Sequence, residues 1–185
     1  MRSLNRIVMQ GTSREWIRGL GPAKLDAAEI SGEWGKGFGF RRYTTYRFPE
    51  YDACEGPFRD DEGKVVKHDL ILANQVWEHM DRPYAATRNV FKMLRKGGWF
   101  WLAVPFFIPY HAVPVDCSRW SARGLRNLLI EGGFDEASIK SAQWGNRAAA
   151  LRNLETPWPP EHRDSDDLTD DPAFPIVAWA MGQKL

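Results

Sequence analysis

The chain has 185 residues, 43% hydrophobic and 26% charged, enough for a globular domain with a sizeable core and unlike a disordered or fibrous chain. A formal net charge of +1 supplies no bulk attraction to nucleic acid, and no apolar run approaches the roughly 18 residues needed to span a membrane. Two cysteines, Cys54 and Cys117, do not make a secreted disulfide framework. The N-terminus carries Arg2 and Arg6 but no apolar signal core, so a soluble, reducing, cytoplasmic setting is expected.

In chain order, residues 12–20 read as a short helix, with Thr12 or Ser13 as cap, Trp16, Ile17 and Leu20 on one face, and Gly21-Pro22 as its end. Residues 25–30 read as a buried strand. The Gly- and aromatic-rich stretch 33–40 is too short for a full helix. Residues 41–48 form a strand broken by Pro49, and 51–54 a second short strand before a polar loop over 56–67.

The pattern then sharpens. Residues 69–74 (DLILAN) are the continuous apolar run of a strand buried on both faces. Residues 83–94 have Val90, Phe91 and Leu94 at helical spacing, and Lys96-Gly97-Gly98 supplies a stop. Residues 99–105 make another buried strand. Ser121 caps a helix to Glu131, with Leu125, Leu128 and Leu129 on one side and Gly132-Gly133 after it. Residues 139–144 and 175–182 are the last strands, separated by a Pro- and Asp-rich surface loop or flap over 155–172. The whole chain, 1–185, is expected to be one α/β domain. In such sheets the ligand sits at the carboxyl ends of the strands, which selects 29–34, Asp52, 74–79 and 105–111.

The run 68–107 resembles the core of class I S-adenosylmethionine-dependent methyltransferases, of the small type-11 kind. Its marks are His68-Asp69-Leu70-Ile71, Trp77-Glu78-His79 and Met93-Leu94-Arg95-Lys96-Gly97-Gly98 in that order; Lys96 stands where the family often has proline. The resemblance implies a Rossmann-like sheet, mostly parallel with an antiparallel terminal strand, and S-adenosylmethionine as cofactor. The N-terminal part is reduced: Glu29-Ile30-Ser31-Gly32-Glu33-Trp34-Gly35 keeps the acid and a glycine of the usual first turn, but Ser31 and Glu33 replace two glycines.

By this resemblance Glu29, Ser31, Gly32 and Trp34 hold the cofactor from the first turn. Asp52 is the candidate for the adenine amine, with Ala53 and Cys54 lining the ring; an Asx-turn is its competing role. Asn74 and Gln75 face the methionine part. His111 is the candidate general base, with Asp116 orienting it or else pairing with Arg119. Tyr110, Arg119, Trp120 and Arg147 are candidate acceptor contacts. The expected reaction is methyl transfer to a small-molecule or glycan acceptor, a hydroxyl oxygen first, in secondary metabolism or polysaccharide modification. Three alternatives stay open. One is a non-catalytic binding or regulatory subunit, and the second a metal-assisted O-methyltransferase using Glu78, His79 and His111. The third is nucleic-acid methylation, which the near-zero charge opposes. No membrane partner is expected, and the small size leaves room for a homo-oligomer that completes the site.

Overall fold

The computed structural model describes residues 3–185, so Arg2 lies outside them. Six strands form one sheet: β1 (Asp26–Ile30), β2 (Arg42–Tyr46), β3 (His68–Asn74), β4 (Leu94–Pro105), β5 (Lys140–Trp144) and β6 (Val177–Gln183), in the order β2-β1-β3-β4-β6-β5. The first four run parallel, while β6 is antiparallel to both β4 and β5. This is the mostly parallel Rossmann-like sheet that the sequence implies.

The apolar runs of β3 and β4 are continuous because both faces are covered. Ala28, Ile30, Ile71, Ala73, Phe100 and Leu102 point toward α2 (Pro83–Met93) and α3 (Ala122–Glu131). Ala27, Leu70, Leu72, Trp101 and Trp179 point the other way, toward α1 (Leu4–Arg18) and α4 (Arg147–Arg152). Ser121 caps α3 as read from sequence, its Oγ accepting from the Gly124 N–H at 3.1 Å.

Four expectations change. The N-terminal helix begins at Leu4, not near residue 12, so Thr12 and Ser13 lie inside it; buried Ser13 Oγ accepts from Trp101 Nε1 at 3.2 Å. Residues 51–54 form a turn because the Asp52 carboxylate accepts from the Cys54 N–H at 2.8 Å. Lys96-Gly97-Gly98 lies within β4, where Gly98 O accepts from Lys184 N at 2.8 Å; α2 already stops at Met93. The helix α4 was not anticipated.

After β1 only a 3-10 turn, Trp34–Phe38, precedes β2. Segment 155–172 has no helix or strand, yet an isolated bridge between Ser3 and Glu161 ties it to the start of α1. Among the described residues no helix is long and apolar enough to cross a membrane.

Candidate active site

Because β1 to β4 are parallel, their carboxyl ends gather at one edge. Two residues there, Ser31 (φ 54°) and Gln75 (φ 60°), adopt the left-handed region without being glycine. Such strain, roughly 1–3 kcal/mol per residue, persists only where the surroundings impose it, and it concentrates at ligand sites. Here neighbouring strands impose it: Ser31 N–H donates to Tyr46 O and Gln75 N–H to Ala103 O, each at 2.8 Å.

Two cavities open beside these strained ends. The first, about 150 Å³, is lined by Ile30, Ser31, Phe48, Asp52, Ala53, Cys54, His79 and Met80. The second, about 200 Å³, is lined by Arg6, Gln75, Glu78, His79, His111 and Trp158 among others. His79 belongs to both. The loop 106–120 covers both, contributing Pro114 and Val115 to the first and Ile108 and His111 to the second.

A buried tryptophan sets the turn between the cavities. Trp77 Nε1 donates to Thr87 Oγ1 of α2 at 3.0 Å, which fixes the 3-10 turn Trp77–His79. His79 Nδ1 hydrogen-bonds the Val115 carbonyl, so the loop is fastened to the turn. Cys117 N–H adds a 2.8 Å bond to Glu78 O. His79 Nε2 lies 3.8 Å from Glu78 Oε1.

Glu78 is 2% exposed, and its Oε2 has no hydrogen-bond partner; Gln75 Nε2 and Asn74 Oδ1 are likewise buried and unpartnered. Unpaired buried polar atoms each carry a desolvation cost of about 1–3 kcal/mol, so the Gln75 and Glu78 atoms on the wall of the second cavity point to a polar ligand there. Burial pushes the Glu78 carboxyl up to about 7, against the weaker pull of Arg6 and Arg119.

His111 has its ring centroid 5.4 Å from that of His79 and 5.2 Å from that of Trp158. Burial first, then nearby His79, lowers its pKa, so the imidazole is neutral near pH 7 and able to accept a proton. Asp116 does not orient this ring. Its carboxylate accepts from the His111 backbone N–H at 2.6 Å and pairs with Arg119 through both oxygens, which bends the loop back on itself. Arg119 is therefore committed to the loop, which lowers the Asp116 pKa.

Other sequence candidates sit elsewhere. Glu29 is fully buried, its carboxylate accepting from Trp34 N–H (3.1 Å), Gly35 N–H (2.7 Å) and the Tyr43 hydroxyl (2.5 Å). It braces the first turn from below. Gly32 is glycine because a Cβ there would lie 2.1 Å from Glu29 Oε1. Trp34 stacks on Trp101 at 4.5 Å, in the core under α1. Tyr110 is 81% exposed and lines neither cavity. Trp120 packs edge-on against Tyr84 and donates to Ser118 Oγ at 3.0 Å. Arg147 borders a separate apolar hollow with Phe106, Phe107 and Leu151.

Among the described residues no group of three or more His, Cys, Asp or Glu could hold a metal ion, so Glu78, His79 and His111 do not form the metal set considered from sequence. Arg6 and Trp158 were not singled out from the sequence. Each comes from a distant segment, and the sequence marks 155–172 only as a Pro- and Asp-rich surface loop or flap.

An α/β sheet with this strand order and a cavity pair at its carboxyl edge defines a class I methyltransferase fold. Residues 20–102 match the family model described as methyltransferase domain. Solved structures agree in fold. A SAM-dependent methyltransferase from Thermotoga maritima, described as a possible histamine N-methyltransferase, is 13% identical; the match covers 98% of each chain with a TM-score of 0.59. A SAM-dependent methyltransferase from Archaeoglobus fulgidus is 11% identical over 97% of this chain and 94% of that one, TM-score 0.54. Phosphoethanolamine N-methyltransferase 2 from Haemonchus contortus, in complex with phosphomonomethylethanolamine and S-adenosylhomocysteine, is 10% identical over 94% of this chain and 52% of that one, TM-score 0.58. No curated protein matches the sequence significantly. Residues 20–102 thus match the methyltransferase-domain family, and the chain as a whole has the class I methyltransferase fold.

Proposed function

We propose that this enzyme methylates a small polar molecule whose acceptor atom must lose a proton. The carrying observation is the pair of adjoining cavities at the strand ends, one largely apolar with the two carboxylates Asp52 and Asp81 and one ringed by ionisable groups. The first suits the adenosine part of the cofactor, with Ser31, Asp52, Ala53 and Cys54 around it. Gln75, at the strained end of β3 and lining the second cavity, with Asn74 beside it, suits the polar methionine part where it reaches toward the acceptor. S-adenosylmethionine supplies an activated methyl group, so the chain's own work is positioning, water exclusion and proton acceptance.

The second cavity is the acceptor pocket in this reading. At about 200 Å³ under Trp158 it favours a small molecule over a glycan chain. Neutral His111 and buried Glu78 are the two groups able to take the proton. Each cavity lies below the roughly 300 Å³ typical of ligand sites, so the loop 106–120 is expected to lift when ligands enter.

Calorimetry with S-adenosylmethionine and S-adenosylhomocysteine tests the reading: both should bind, and absence of binding by either overturns it. His111→Ala should slow methyl transfer at saturating cofactor at least tenfold while changing S-adenosylhomocysteine affinity less than threefold, as expected for a group that contacts the acceptor rather than the cofactor. Equal turnover would remove His111 from the mechanism.

A further inference from the structure

The second cavity contains one feature that methyl transfer in general does not require: an unpaired, buried carboxylate. Glu78 is 2% exposed, its Oε2 has no partner, and no lysine or arginine nitrogen lies within 4.0 Å of it among the described residues. A hydroxyl acceptor would leave such a carboxylate without a counter-charge. A cation would supply one, and a primary or secondary ammonium would also donate to the orphaned oxygen.

The walls fit the same ligand. The Trp158 and His111 rings, 5.2 Å apart at their centroids, line the same cavity as Glu78, and His111 in turn meets the His79 ring of the Glu78 turn at 5.4 Å. Aromatic faces attract ammonium groups, most strongly where water is excluded. The other charged groups around Glu78 are His79 on its own turn, Asp116 and Arg119 on the covering loop, and Arg6 on α1. Asp116 and Arg119 neutralise each other. Arg6 shares the cavity and attracts Glu78 from a distance, but it makes no ion pair with it within 4.0 Å.

We infer that the acceptor is a small amine, held as its ammonium by Glu78 in the cavity that the Trp158 and His111 rings help to line, and that Glu78 takes its proton. This rests on the methyl-transfer reading above. The ammonium N–H proton passes to the Glu78 carboxylate and leaves a neutral amine. The nitrogen lone pair forms the new C–N bond as the C–S bond breaks, with that electron pair staying on sulfur. The product leaves as a methylated ammonium, and Glu78 releases its proton to water. The raised Glu78 pKa of the empty pocket agrees: a carboxyl near 7 ionises when a cation arrives and can take a proton back.

The test is calorimetry of the full chain, alone and saturated with S-adenosylhomocysteine, at pH 7.5, using n-butylammonium chloride and butan-1-ol as probes. The ammonium should bind at least tenfold more tightly than the alcohol, and Glu78→Gln should abolish that preference while binding S-adenosylhomocysteine within threefold of the original. Equal affinity for the two probes overturns the assignment, as does a preference that survives in Glu78→Gln. If S-adenosylhomocysteine itself does not bind, the methyl-transfer reading fails, while the probe comparison on the protein alone still decides whether Glu78 selects an amine.

Discussion

Glu29 shows how a residue can keep a family position while doing structural work. Along β1, Ala28 and Ile30 face α2 and α3, so strand alternation puts Glu29 on the α1 face, away from both cavities. There, fully buried, it satisfies two backbone N–H groups and a tyrosine hydroxyl. Glu29→Ala strands all three donors and should cost about 3–5 kcal/mol, read as a fall in the urea midpoint. Tyr43→Phe removes one bond only and should cost about 1 kcal/mol. The sequence could not separate these roles. An acid before a glycine turn is the same string whether its carboxylate faces a ligand or the turn's own backbone. Asp52 is the converse case: it makes the Asx-turn and also lines the first cavity.

At the scale of elements, the second cavity depends on a junction between α1, α4 and segment 155–172. Asn153, fully buried near the end of α4, accepts from Asn5 Nδ2 at 2.7 Å and from Trp158 Nε1 at 3.0 Å. It donates to Asn5 Oδ1 and Ala149 O, each at 3.0 Å. Asn146 caps α4 through Ala149 N–H at 2.7 Å and donates to Asp167 O and Thr169 O at 2.9 Å, which holds the far end of the segment. Asn153→Ala should cost about 3 kcal/mol, because it leaves buried partners unsatisfied. It should also free Trp158, so protease cleavage within 155–172 should speed at least fivefold, and n-butylammonium affinity should fall while S-adenosylhomocysteine affinity holds. Unchanged cleavage would mean that Asn153 does not hold the flap. None of this was readable along the chain. Gly145-Asn146 looks like a turn, and Asn5 and Asn153 become partners only once the sheet has brought α1 and α4 onto one face.

At the scale of the whole molecule, the sheet was legible and the site only partly so, for a common reason. β3 and β4 are buried on both faces, and nothing but an unbroken apolar run can occupy such positions. The cavity residues obey no period. They come from the start of α1, the ends of β1 and β3, the loop 106–120 and the flap.

Two buried titratable groups give this molecule an unusual response to pH. His68, 5% exposed with its Nε2 2.8 Å from the Tyr46 hydroxyl, is lowered to about 4 by burial and then by Arg95. Its unfolded value is about 6.5, so the unfolded chain binds the extra proton and stability falls as pH drops from about 6.5 to 4. Glu78 behaves in the opposite sense. Its folded value of about 7 exceeds the unfolded carboxyl near 4.5, so the folded chain holds the extra proton and stability falls as pH rises through that window. Each effect is roughly 3 kcal/mol at full extent, and over the shared range they oppose each other. Glu78→Gln removes one limb. Its stability should equal that of the original chain near pH 4 and exceed it progressively toward pH 7.5, by up to about 3 kcal/mol, in urea unfolding across that range. The gain would mark Glu78 as a group kept for the pocket at the expense of the fold. A difference that stayed flat with pH would mean that Glu78 titrates normally and carries no such strain.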